Sequence, residues 1–125
     1  MIPDSSASSS TALVTISSRN QHVVVRLHAG TIGAREALAI VEEAARGLEG
    51  APKGKRFVID LSRTNALSSM GLGLCVDLRN RAVDAGLKPV LTGMNVQLAE
   101  LFHMMRVDRL FTIAQSAGEL ERMLL

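Results

Sequence analysis

The chain has no tryptophan, no tyrosine and only three phenylalanines in 125 residues, so it offers no platform on which bases could stack. One cysteine, Cys75, allows no internal disulfide, and its setting among Leu74, Val76 and Leu78 marks a packed thiol rather than a reactive one. No apolar run approaches the roughly 20 residues that cross a bilayer, which excludes membrane insertion through a helix. Charge is nearly balanced: 14 Lys and Arg against 12 Asp and Glu leave +2, too little to argue for direct nucleic-acid binding. The three histidines, His22, His28 and His103, lack metal-ligand spacing, so neither a metal nor another cofactor is expected. The opening MIPDSSASSSTA has neither the basic nor the apolar region of a signal peptide. It reads as a disordered tail over residues 1–9, and the protein reads as cytoplasmic.

What is present suits one soluble domain over residues 10–125, with 47% hydrophobic and 21% charged residues. TALVTIS and HVVVRLH read as two strands around the turn SRNQ. From Ala34 to Leu48 apolar Ala37, Val41, Ala44, Ala45 and Leu48 recur at helical spacing. RFVIDLS follows a Pro/Gly loop, and its uninterrupted Phe57-Val58-Ile59 fits a strand buried on both faces. A helix from Ser69 to about Ala85 buries Leu74, Cys75, Leu78 and Ala82, and Gly86 stops it. Then come a strand KPVLTGM, a helix from Val96 to Arg106 burying Leu98, Leu101, Phe102 and Met105, and a short strand LFTIA. A capping box, Ser116 to Glu119, opens a last helix. The order predicts an α/β fold: a mostly parallel, mixed sheet with about four helices.

Sites in such sheets favour the carboxyl ends of strands, and ALSSMGLG, residues 66–73, stands at one. As a nucleophile elbow it fails, because Leu67 occupies the place of the first glycine. Asp84 and His103 follow Ser69 in hydrolase order, but the chain is about half the size such folds require. As a dinucleotide fingerprint it lacks a third glycine, having Val76 instead. Structurally, Ser68 or Ser69 caps the helix while Gly71 and Gly73 allow close packing. A phosphoryl group there would meet free amides and the positive end of the helix dipole.

The segment DLSRTNALSSMGLGLCVDLRNRAVDAGLKPVLTG resembles the central signature of STAS domains, particularly the anti-sigma-factor antagonists. That signature runs Asp-Leu-Ser, a variable stretch, then Asp-Ser-Ser-Gly-Leu-Gly and a helix. The likeness extends through MNVQLAELFHMMRVDRLFTIAQSAGELERML and covers nearly all of residues 10–125. It implies a binding protein rather than an enzyme, a monomer or weak dimer that engages an anti-sigma factor, often a serine-protein kinase, and so releases a sigma factor. Register with the signature puts the phosphoacceptor at Ser69 and leaves Ser68 as the N-cap. The partner surface implied comprises Ser68, Ser69, Met70 and Gly71, the loop residues Gly30 and Thr31, and Asp77 and Arg81 on the helix. Ser68 replaces the family's Asp, Met70 replaces its second serine, and the loop His28–Gly33 lacks the usual acids. Relatives that alter the same motif serve as non-switching subunits of signalling scaffolds or transport complexes, which is the alternative function.

Overall fold

The computed structural model describes residues 9–10, 13–28 and 31–125, so the expected tail lies almost wholly outside the described residues. β1 (Ser9–Ser10) pairs antiparallel with β2 (Val14–Arg19), which returns as β3 (His22–Leu27). Asn20 and Gln21 form the turn with left-handed φ of 51° and 70°, a two-residue loop whose twist suits the strands it joins. The expected turn SRNQ thus shrinks to its last two residues, and β2 runs on to Arg19.

The chain continues through β4 (Thr31–Ile32), α1 (Ala34–Leu48), β5 (Arg56–Asp60), β6 (Ala66–Leu67) and α2 (Ser69–Asp84). It ends with β7 (Lys88–Thr92), α3 (Val96–Met104), a 3₁₀ turn at Asp108–Leu110, β8 (Thr112–Ala114) and α4 (Ala117–Met123). Six strands form one sheet in the order β1-β2-β3-β5-β7-β8, with β3, β5, β7 and β8 parallel. The α/β architecture, with four α-helices among the described residues and a mixed, mostly parallel sheet, is the one the element order predicts.

Both faces of the sheet are covered, which is why β5 reads as a continuous apolar run. On one face Val25, Ile59 and Leu91 pack with Ile40, Cys75, Leu78 and Phe102 from the helices. On the other, Val24, Val58 and Val90 lie under Leu120, Met123 and Leu124. Burial pushes the Cys75 thiol up to about 12, so it is the packed, unreactive group expected.

Three details differ from expectation. The buried stripe of α1 is Ala37, Ile40 and Ala44; Ile40 falls at the same helical spacing and displaces Ala45 from the core. α3 ends at Met104, and Met105 is 56% exposed rather than buried, because the chain turns away through Arg106 at φ 60°. Residues 108–110 coil into a 3₁₀ turn before the last strand begins, so only Thr112–Ala114 pairs with β7.

Candidate functional site

The stretch Ala66–Gly73 lies where the strand-to-helix crossover from β5 reaches α2. Its first two residues form β6, which pairs in parallel with β4: Thr31 faces Ala66 and Ile32 faces Leu67. This two-strand bridge ties the loop after β3 to the start of α2, at the carboxyl ends of the parallel strands.

Ser68 is the N-cap of α2. Its hydroxyl accepts the amide of Gly71 at 3.1 Å and donates to the Ile32 carbonyl at 2.7 Å. Its own amide donates to the same carbonyl at 3.3 Å. Cap and clasp together commit its one donor and one of its acceptor positions. Gly71 sits against the bridge: a Cβ there would meet the Ile32 carbonyl oxygen at 2.9 Å and Leu67 at 3.0 Å. Gly73, in contrast, has open space around it, so the close packing foreseen for both glycines belongs to Gly71 alone.

Ser69 is the first residue of α2 and is exposed, with Met70 beside it at 56% exposure. Thr31 is exposed across the bridge; Gly30 lies outside the described residues. One and two turns below Ser69 come Gly73 and Asp77, and Asp77 accepts from the Arg81 guanidinium at 3.1 Å. Helical spacing therefore puts Ser69, Met70, Gly73, Asp77 and Arg81 along one solvent-facing strip. Sequence reasoning does not single out Val96, 73% exposed at the start of α3. Its helix is anchored to the same end of the fold, because the Asn95 amide group donates to the carbonyl of Asn65 at 3.1 Å. An apolar residue just after a capping asparagine is the available signal.

A hydrolase triad does not assemble. Ser69 and Asp84 stand at opposite ends of a 16-residue helix, about 22 Å apart at 1.5 Å per residue. His103 is engaged instead by Asp108, with its Nδ1 2.9 Å from the carboxylate. The exposed strip can present a hydroxyl, a glycine, a methionine and an ion pair to another surface.

The family described as "Mlab, STAS domain" matches residues 14–114. No curated protein matches the chain in sequence. Among solved structures, an anti-sigma-factor antagonist (STAS) domain protein from Planctomyces limnophilus superposes with a TM-score of 0.78 at 17% identity, over 91% of this chain and 99% of its own. A single-site variant of RsbS from Moorella thermoacetica superposes with a TM-score of 0.72 at 23% identity, over 88% and 93%. The anti-sigma factor antagonist SpoIIAA in its unphosphorylated form gives 0.63 at 14% identity, over 93% of each chain. With its signature at the β5–α2 crossover and its family match running from β2 to β8, this chain belongs to the STAS domain family.

Proposed function

We propose that the protein is an anti-sigma-factor antagonist. It binds an anti-sigma factor of the serine-kinase kind, frees the sigma factor held by that partner, and is switched off by phosphorylation of Ser69. The carrying observation is the division of labour between the two serines: both are exposed, but the Ser68 hydroxyl is tied down as cap and clasp, whereas the Ser69 hydroxyl has no partner among the described residues. The fold shared with SpoIIAA and with the Planctomyces limnophilus protein supports the same reading. The partner surface is the strip Ser69, Met70, Gly73, Asp77 and Arg81, with Ser68 at its head and Thr31 on the facing strand of the bridge; of the expected surface, Gly71 is buried beneath the strip and Gly30 lies outside the described residues. A phosphoryl group on Ser69 adds a charge of about −1.5 to −2 at the centre of that surface. The first turn of α2 tolerates this charge within the protein, because the helix dipole is positive there. A partner that buries the strip does not. The protein performs no catalytic step of its own and acts in the cytoplasm as a monomer or weak dimer.

Incubation with the cognate kinase and ATP, followed by peptide mass spectrometry, should place phosphate on Ser69. Ser69→Asp should weaken partner binding at least tenfold in calorimetry while leaving the unfolding midpoint unchanged. Phosphate found only elsewhere, with Ser69→Asp binding like the parent, overturns the switch. The second reading then takes its place: a non-switching subunit of a signalling scaffold or transport complex. The residues that favour it are Ser68 and Met70, which stand where the family signature carries Asp and Ser.

A further inference from the structure

The sheet face opposite α1 and α2 carries two rows of side chains. Val24, Val58 and Val90 form one and are sealed by α4. Two residues further along each strand, Arg26, Asp60, Thr92 and Ala114 lie in register across β3, β5, β7 and β8. Residues two apart on a strand share a face, so this second row points the same way. α4 has only seven residues and leaves a concavity of about 650 Å³ over that row. The volume falls within the ~300–1,000 Å³ of small-molecule sites.

The floor is built from buried polar groups: Asp60 is 6% exposed and Thr92 8%. Both Asp60 oxygens are engaged, one by the Ser62 amide and one by Arg26 Nε, each at 2.9 Å. The Thr92 hydroxyl donates to the Ala114 carbonyl at 3.4 Å. At the rim, Glu121 takes both terminal nitrogens of Arg19, at 2.8 and 2.5 Å, and Asp108 is engaged by His103. The carboxylates around the concavity are therefore all occupied. Arg26 is not: it commits Nε to Asp60, and its two terminal amino groups have no partner among the described residues. Its side chain is 47% exposed and held from behind by a buried carboxylate, a fixed fork of donors. Met94, Ile113 and Leu120 supply the apolar lining.

We propose that this concavity binds a small amphipathic anion, with its carboxylate or phosphate head on the free amino groups of Arg26 and its apolar body against Met94, Ile113 and Leu120. The site is distinct from the Ser69 strip and stands or falls independently of the proposed switch.

Titration of ¹⁵N-labelled protein with octanoate, octyl phosphate and octanol tests it. The expected result is saturable shifts of the Gly93, Met94, Gln115 and Ser116 amides with at least one of the two anions, and binding of octanol at least tenfold weaker. The tighter of the two anions identifies the head group. Arg26→Gln should reduce anion binding at least tenfold. Because that change also loosens Asp60, Ala117→Phe serves as the second variant. It fills the concavity from an exposed wall position, leaves the Arg26–Asp60 pair intact, and should reduce binding by a similar factor. Octanol binding as tightly as the anions, shifts that do not saturate, or unchanged binding by Ala117→Phe overturns the proposal.

Discussion

Two glycines separated by a single leucine in ALSSMGLG obey opposite constraints. Gly71 has no room for a methyl group, since the Ile32 carbonyl and Leu67 already occupy the space. Gly73 faces solvent within the same helix and has room to spare. Gly71→Ala should therefore cost about 1–3 kcal/mol, the usual penalty for forcing atoms into a filled space. Gly73→Ala should add roughly 0.5–1 kcal/mol, because alanine loses less freedom in a helix. Urea denaturation of both variants checks the pair; equal effects of the same sign would mean that the bridge does not press on α2. In the sequence the two glycines are indistinguishable. What separates them is Ile32, far earlier in the chain, and no local pattern announces that contact. Ser68 and Ser69 are more legible: a capping residue followed by an exposed one fits the strand-to-helix junction and the family signature alike.

At the scale of elements, legibility follows length. α1 and α2 run 15 and 16 residues, long enough for several turns of apolar spacing to reveal the buried side. Their starts and ends are readable almost to the residue. Leu78 lies at the centre of that spacing in α2 and is wholly buried. Leu78→Ala should lower stability by about 2–5 kcal/mol in chemical denaturation. A loss below roughly 0.5 kcal/mol, as at surface positions, would show that this side of α2 is not packed. The two-residue strands β4 and β6 are too short for any alternation to register, and so the bridge that organises the candidate site is invisible in the sequence. The same applies to the last turn of α3, where apolar Met105 continues the helical spacing although the chain turns away at Arg106.

For the molecule as a whole, the end of the sheet remote from Ser69 is held by contacts between distant parts of the chain. His22 Nδ1 accepts the Arg56 amide at 2.9 Å, Arg56 Nε donates to the Met123 carbonyl at 3.1 Å, and the Asn20 amide group donates to the Leu124 carbonyl at 2.7 Å. Hairpin, central strand and final helix meet there. Burial, reinforced by the positive charge of Lys55, holds His22 below the ordinary histidine value. The unfolded chain therefore takes up this proton first as pH falls. The stability contributed is complete above about pH 6.5, the unperturbed histidine value, and is lost as pH drops from there toward the lower folded value. Asp60 does not interfere in that window. Burial raises its carboxyl, but Ser62 and Arg26 outweigh this and hold it below the ordinary aspartate value, so its contribution disappears only in stronger acid. Urea midpoints should fall between about pH 7.5 and 5.5, by at most about 1.4 kcal/mol of stability per pH unit from this one group. His22→Phe should flatten that decline, and a parent midpoint independent of pH over the interval would refute the assignment.

Among the described residues the sheet also closes with very short strands, two residues of β1 on one side and three of β8 on the other. An edge this brief gives a passing strand almost no row of free amides and carbonyls to copy. Fibrous stacking and domain exchange by strand addition are thereby discouraged, even though the interior strands are rich in valine and isoleucine. The fold's associations are left to the side chains on its surface rather than to its backbone.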